Sequence, residues 1–404
     1  MAEDKVMKRL ILLWLLLAGI SCTATGADTS GSEASPGNGD ISVEWDRSTV
    51  KLIASGGGYG RIHRLLDGRL MGVYEKGGCG HVIFSSDDGT SWSSPKMVFP
   101  SFVYGTATVN IANCEFAQLS REHPLHPGRI IFAANLRPAG NASSVHPYAI
   151  ACIFSDDGGK TWSSMTVAYS SKLWDTDIAK GCWEPFILEL PDGTVQIYFA
   201  DETPYWSQGL KYQNISVTES SDGGASWSTP RIVCYADKTR DGMPVALLLE
   251  GTIYVVVEHY DAGTRFYPQV VSSPAGNSWQ EPVLNGSPFR FDIFPASIAS
   301  ATIYRGAPYL IRTDDYLAVS WQVTGTEYDR GDEAHAMMEV AVCPISEMHE
   351  GKFTTMRAIS KPLLLDEATN KAKWNSLCDL GGNSILAVSS TKAGLVTVRG
   401  KIVP

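Results

Sequence analysis

The chain lacks C-x-x-C pairs, has little helical periodicity and carries no surplus of positive charge. Each absence removes a class of function. Without closely spaced cysteines, a metal site or redox dithiol of that type has no ligands to draw on. Setting Cys22 aside, seven cysteines remain (Cys79, Cys114, Cys152, Cys182, Cys234, Cys343 and Cys378), and the odd count leaves at least one thiol unpaired. A formal net charge of -10, from 33 Lys and Arg against 43 Asp and Glu, argues against nucleic acid or an anionic membrane as partner. A neutral or sugar-like ligand fits better. Two local gaps also matter below: no Asp lies between Asp88 and Asp156, and no Arg between Glu184 and Pro230.

What is present begins with an export signal. Residues 7–22, "MKRLILLWLLLAGISC", are a basic pair followed by a short apolar run that ends in small residues. That is the layout of a secretory signal, too short for a comfortable membrane span. Cys22 ends it, and "AGISC" resembles a bacterial lipoprotein cleavage site, with Gly19 where Leu is usual. The expected location is outside the cytoplasm, lipid-anchored through Cys22 at the cell surface or in the periplasm, or else simply secreted. Residues 23–40, small and polar, read as a flexible tether. From residue 41 to 404 no composition break occurs, so one large domain is expected, as a monomer. Hydrophobic residues at 44%, with 11 Trp and 16 Tyr, suffice for its core.

That domain is built from repeats. "SSDDGTSW" (85–92), "SDDGGKTW" (155–162) and "SSDGGASW" (220–227) share one S-x-D-x-G-x-[ST]-W pattern, and "SSPAGNSW" (272–279) keeps it except for Pro274. Between them, turns such as "LLDGRL", "LPDGTV" and "LLEGTI" recur six times among apolar runs, as hairpin connections do. Four strands per unit and six units describe an all-β, six-bladed β-propeller of antiparallel blades. The last unit ends after its third strand, so residues 41–54 are expected to supply the fourth and close the ring. The boxes and the first hairpin of each blade fall at one end. Ligand groups in a propeller gather at the other, so the boxes read as structural turns in which Asp bonds its own backbone.

The residues expected at the working face are those where innermost strands begin and second strands finish. They include Tyr59, Arg61, His63, Glu75, Asn110, Asn113, Asn135, Arg137, Glu184, Glu202, Arg240, Asp241, Glu258, Gln322, Trp374 and Asn375. Glu184, between Trp183 and Pro185, and Glu258, ending the apolar run "TIYVVV", stand out. Burial raises a carboxyl pKa and leaves a neighbouring carboxylate ionised, and a pair so divided hydrolyses glycosidic bonds. Trp183, Tyr205, Trp321 and Trp374 offer rings for stacking on sugars or for the core. Neither role calls for a cofactor, and no metal-ligand cluster is visible in the sequence.

The boxes, and "GRIHRLLDGRL", resemble the sialidase superfamily. The gaps noted above depart from that pattern, because a sialidase uses an early acid/base Asp and three arginines around the substrate carboxylate. The segments "WEPFILELPDGTVQIYF", "RDGMPVALLLEGTIYVVVE" and "LAVSWQ" resemble glycoside hydrolase family 93, the exo-α-1,5-L-arabinanases. That resemblance implies a retaining exo-glycosidase acting on arabinan, with Glu184 as nucleophile, Glu258 as acid/base and an uncharged polysaccharide as partner. Two alternatives stay open: an exo-sialidase drawing on Arg61, Arg240, Arg312 or Arg330, and a propeller that binds glycan or protein without catalysis.

Overall fold

Period-two apolar runs cut by glycine turns give short antiparallel strands. The computed structural model of the chain describes residues 41–139, 146–171, 181–204, 213–235, 239–260, 266–294, 303–324, 336–365 and 371–404. The expected signal and tether (1–40), Tyr205 and Arg330 lie outside these. The first described strand is β1 (Ser42–Ser55). Blade one follows as β2 (Gly58–Arg64), β3 (Leu70–Lys76), β4 (Cys79–Ser85) and β5 (Lys96–Phe99). Blade two is β6 (Phe102–Tyr104), β7 (Ala107–Gln118), β8 (Ile130–Pro138), β9 (Ala149–Ser155) and β10 (Thr166–Ser170). Blade three comprises β11 (Cys182–Glu189), β12 (Val195–Asp201), β13 (Asn214–Ser220) and β14 (Arg231–Cys234). Blade four is β15 (Arg240–Leu249), β16 (Thr252–Tyr260), β17 (Tyr267–Pro274) and β18 (Arg290–Asp292). Blade five contains β19 (Arg305–Arg312), β20 (Tyr316–Val323), β21 (Met337–Pro344) and β22 (Arg357–Ser360). Blade six has β23 (Lys373–Gly381), β24 (Ser384–Thr391) and β25 (Gly394–Val403), and β1 completes it by pairing antiparallel with β25 from Ser42↔Val403 to Ser55↔Gly394.

The fold is therefore a six-bladed β-propeller closed by the N-terminal strand, as the repeats predict. Blade two departs from the expected four strands: β6 adds a fifth, paired to the start of β7. The middle strands are apolar on both faces because each face meets a neighbouring blade. In β8, Ile130, Phe132, Ala134 and Leu136 pack with Met71, Val73 and Val82 of blade one. Ile131 and Ala133 pack with Ile187, Ile197 and Phe199 of blade three.

The three full boxes make near-identical hydrogen bonds. Asp157 accepts from the Ser155 hydroxyl (2.8 Å), the Thr161 N–H (2.9 Å) and the Thr161 hydroxyl (2.6 Å). Asp87 does the same with Ser85 and Ser91, and Asp222 with Ser220 and Ser226. The hairpins reach across to them: the Arg129 guanidinium donates to Asp156 and to the Gly223 carbonyl of the next box. Bonds from the Ser91 hydroxyl and N–H hold the Asp87 carboxyl down at about 2. A carboxyl depressed in this way stabilises the fold above its ordinary value and stops doing so as pH falls towards 2. Asp157→Ala should accordingly lower the melting temperature at pH 7, and the difference from the unmodified chain should shrink in acid. Equal melting temperatures at pH 7 would show the boxes to be dispensable.

Candidate active site

The end of the propeller opposite the boxes is shaped by one bulge in each innermost strand. Pairing shifts register between Gly58 and Arg61, Ala112 and Glu115, Trp183 and Phe186, Gly242 and Val245, Gly306 and Tyr309, and Lys373 and Ser376. The bulged residue is left-handed in all six blades: Tyr59 (φ 52°), Asn113 (49°), Glu184 (60°), Met243 (49°), Ala307 (50°) and Trp374 (48°). This conformation costs a residue with a side chain about 1–3 kcal/mol, so surrounding bonds must hold it.

Those bonds come from the neighbouring blade. The Asn113 N–H donates to Glu75 Oε2 (2.8 Å), Ala307 to Glu258 Oε2 (2.8 Å), Trp374 to Gln322 Oε1 (3.0 Å) and Tyr59 to Ser390 Oγ (2.8 Å). These four acceptors hold equivalent places near the ends of second strands, opposite Gly58, Gly242, Gly306 and Lys373. Blade three has Ala200 there instead, opposite Trp183. There the Met243 N–H is met by Glu184 itself, through Oε2 at 2.9 Å. An amide at Gln322 and a hydroxyl at Ser390 do this work without charge. The hydrogen bond alone therefore gives no reason for carboxyl groups at Glu75, Glu184 and Glu258.

Two of those carboxyls reach consecutive residues of β15. Glu184 Oε2 accepts from Met243, and Glu258 Oε1 lies 2.9 Å from where a Cβ on Gly242 would stand. A Cβ on Gly306 would come within 2.9 Å of Glu258 Oε2 and 2.3 Å of the Tyr304 hydroxyl, and one on Gly242 within 2.7 Å of Gln213 Nε2. A side chain at either glycine would crowd Glu258 and its neighbours. Burial raises the Glu184 carboxyl to about 7, against the opposing pull of the Met243 N–H, Arg240, Arg61 and Arg137. Glu75 is raised too, by burial, against the Asn113 N–H, Arg137 and Arg61.

A carboxyl raised on folding costs stability as pH climbs from its ordinary value to its folded one. At a folded value of about 7 the full cost is on the order of 3 kcal/mol, reached above neutrality. Glu184→Gln keeps the shape and removes the charge. It is expected to melt with the unmodified chain at pH 4 and one to a few degrees above it at pH 8, a difference that thermal denaturation resolves. A difference that does not grow with pH would mean that the fold bears no such cost.

The other expected site residues divide between the mouth and the layers beneath it. Asn113 and Trp374 sit in the ring itself. Trp183 is half-buried, with the Tyr148 ring 4.7 Å away and the Arg137 guanidinium 5.0 Å over its face. Arg240 pairs with Glu202 at 3.0 Å and donates to Gln213. Arg61 is buried below the ring, 4.0 Å over Tyr59 and 3.5 Å from Glu115 Oε2, and it donates to the Trp374 carbonyl at 2.9 Å. His63 lies two residues further along β2, 3.0 Å from Glu115 Oε1, with its side chain 31% exposed where that of Arg61 is buried.

Three expectations are corrected more sharply. Asp241 is fully buried inside blade four, bonded to Arg290 at 2.9 and 2.7 Å and to His259 at 2.7 Å. It stands two residues before the bulged Met243, opposite His259, within the sheet. Gln322 and Asn375 are buried connectors. Gln322 accepts from Trp374 and donates to the Tyr304 hydroxyl (2.6 Å), and Asn375 donates to the Trp321 carbonyl (3.3 Å). Trp321 is core, its indole N–H on Glu339 at 3.0 Å. Sequence reasoning missed Glu115 and Tyr309, which close the layer under the ring with a 3.3 Å hydrogen bond. Their signal was positional: each lies two residues after a bulge, like Arg61. The seven cysteines from Cys79 onward are all free thiols.

Residues 70–299 match a family profile described as BNR repeat-like domain. No curated protein matches the chain. Among solved structures, the chain is similar to an α-L-arabinofuranosidase of Fusarium graminearum in complex with an iminosugar inhibitor. The TM-score is 0.62 at 16% identity, over 85% of this chain and 92% of that one. It is also similar to an α-L-arabinanase of Penicillium chrysogenum complexed with arabinobiose, with TM-score 0.61 and 17% identity over 85% and 93%. A Hadza microbial sialidase gives 0.54 and 13% over 86% and 65%. At these identities the likeness is one of fold, to propellers that include glycoside hydrolases.

Proposed function

We infer, from a chain that belongs to the BNR repeat-like domain family and carries this pair of carboxyl groups at its mouth, that it is a retaining glycoside hydrolase. The observation that carries the reading is the convergence of Glu184 and Glu258, from adjacent blades, on the consecutive residues Gly242 and Met243. Retention asks for two carboxyls about 5 Å apart. Following the resemblance, the Glu184 carboxylate attacks the anomeric carbon while Glu258 protonates the departing oxygen. Glu258 then takes a proton from the water that cleaves the glycosyl ester.

An arabinan chain linked α-1,5 is the substrate we propose, cut from its end. It is uncharged, so it needs no arginine trio. Of the arginines a sialidase reading would recruit, Arg61 is tied to Glu115 beneath the ring and Arg240 to Glu202. Arg312 pairs with Leu317 at the far hairpin. A purely binding propeller would point these two carboxyls apart or lock them in salt bridges. Glu184 meets a backbone N–H instead.

The full chain is to be incubated with linear α-1,5-arabinan and, separately, with a sialylated oligosaccharide. Release of arabinose or arabinobiose, with the newly formed anomer retained by NMR, is the expected result. Cleavage of the sialyl substrate alone would place the chain in the other branch. Inactivity on both would overturn the arabinan assignment.

A further inference from the structure

Between blades one, two and six, a cleft of about 370 Å³ opens at the same mouth. Glycine backbone, Gly56 to Gly58 and Gly77 with Gly78, makes up part of its lining. Gly78 is required there twice over: its φ is 74°, and a Cβ would stand 2.4 Å from Asn110 Oδ1. Asn110, Ser390 and Thr391 add hydrogen-bonding groups, and Trp374 a ring. This combination suits a sugar.

The charge around it does not suit a neutral one. Lys76, Arg137, Lys371 and Lys373 line the cleft, and Glu75 is the one carboxylate among its described lining residues. Such a concentration is unexpected in a chain of net charge -10. Lys373 lies 5.3 Å over the Trp374 ring, and Arg137 covers Trp183. Glu75 supplies one negative charge against these cations, and its Oε2 is already taken by the Asn113 N–H. A concave surface with cations on its walls focuses positive potential where a ligand would sit. Arg137 also acts on both Glu75 and Glu184, so the cleft and the carboxyl pair share a wall.

We propose that this cleft binds an anionic sugar unit, carboxylated or sulfated, of the same glycan whose neutral terminal residue is presented to Glu184 and Glu258. The proposal rests on the glycosidase reading and narrows its substrate class to glycans that join neutral and acidic units. Hydroxyls would meet Asn110, Ser390 and Thr391, and the anionic group Lys76, Lys371 and Arg137.

Calorimetry on the full chain carrying Glu258→Gln tests this without turnover. The probes are trigalacturonate, its methyl ester, a sulfated trisaccharide with its unsulfated form, and arabinotriose. At about 50 mM salt, at least one anionic probe should bind about tenfold or more ahead of its neutral counterpart, and the margin should collapse near 0.5 M. Whichever probe does so names the group. Adding Lys76→Gln and Lys371→Gln should cut that affinity about tenfold or more and leave arabinotriose within about twofold, since each lysine acts as a point charge. Equal binding of charged and neutral probes, or an unchanged affinity in the lysine variant, would overturn the proposal. Hydrolysis of neutral arabinan without anion preference would do so while leaving the glycosidase reading intact. Anion preference in a chain that hydrolyses no glycan would support the cleft and remove that reading.

Discussion

Glu258→Gln is expected to lose about a thousandfold or more in kcat/KM on arabinan, yet retain much of its activity on an aryl arabinofuranoside with a good leaving group. General acid catalysis contributes about 10²–10⁴, and a leaving group that departs without a proton does not need it. Added azide should then intercept the glycosyl ester and give an azide of retained configuration. Glu184→Gln should lose both activities, and any azide product should be inverted, because no ester forms. Measured rates and product anomers thus separate the two roles. Their assignment needs this test because burial raises the Glu184 carboxyl to about 7, so it holds its proton towards neutrality in the free site. The resemblance makes that same residue the nucleophile. Interacting carboxyls titrate as a pair, so the pH profile decides where the proton resides in use. If Glu184 is the nucleophile, kcat/KM rises as pH passes upward through about 7, since the ionised form attacks. If it is the acid, kcat/KM falls over the same interval. Swapped behaviour of the two variants would reverse the roles, and full activity in both would end the two-carboxylate mechanism.

Asp241→Ala is expected to produce the largest loss of stability. The residue is fully buried, and its carboxylate holds the Arg290 guanidinium by two hydrogen bonds and the His259 ring by a third. Removing one partner of a buried pair strands the other, at a cost of about 3–5 kcal/mol. The melting temperature should fall by roughly 5 °C or more. Asp241→Asn should fall between, keeping shape and losing charge. Burial raises the Asp241 carboxyl, but Arg290 and His259 outweigh it and leave it at about 2. Its contribution is therefore present above the ordinary carboxylate range and lost as pH falls towards 2. A chain that melts normally without this carboxylate would show that β18 is held to its blade by other means.

How far the sequence could be read follows from the range of the forces involved. The boxes were legible because each is closed by its own side chains: Asp157 bonds residues two to four positions away, and a local bond leaves a local pattern. Closure of the ring by residues 41–54 was legible as well, since β-strands pair by period and the last unit was one strand short. Glu184 and Glu258 were singled out because a carboxyl beside an apolar strand is costly to place there, and because the resemblance points to the same two residues. Asp241 was misplaced for the complementary reason. A bulge of one residue re-aims every side chain around it, and nothing in "RDGMPVA" marks Met243 as left-handed.

By itself, the sequence determined the six blades and the turns between them and singled out Glu184 and Glu258, because strand period, turn chemistry and burial act along the chain. Only the tertiary structure decided which polar groups meet. Arg61 with Glu115, Asp241 with Arg290, and Glu184 with the Met243 N–H are 54, 49 and 59 residues apart. The gathering of Lys76, Arg137, Lys371 and Lys373 at one cleft depends on blades one, two and six closing against each other. Charges so distant along the chain acquire a common field when the ring shuts, since electrostatic interaction depends on distance in space and on the dielectric between the groups.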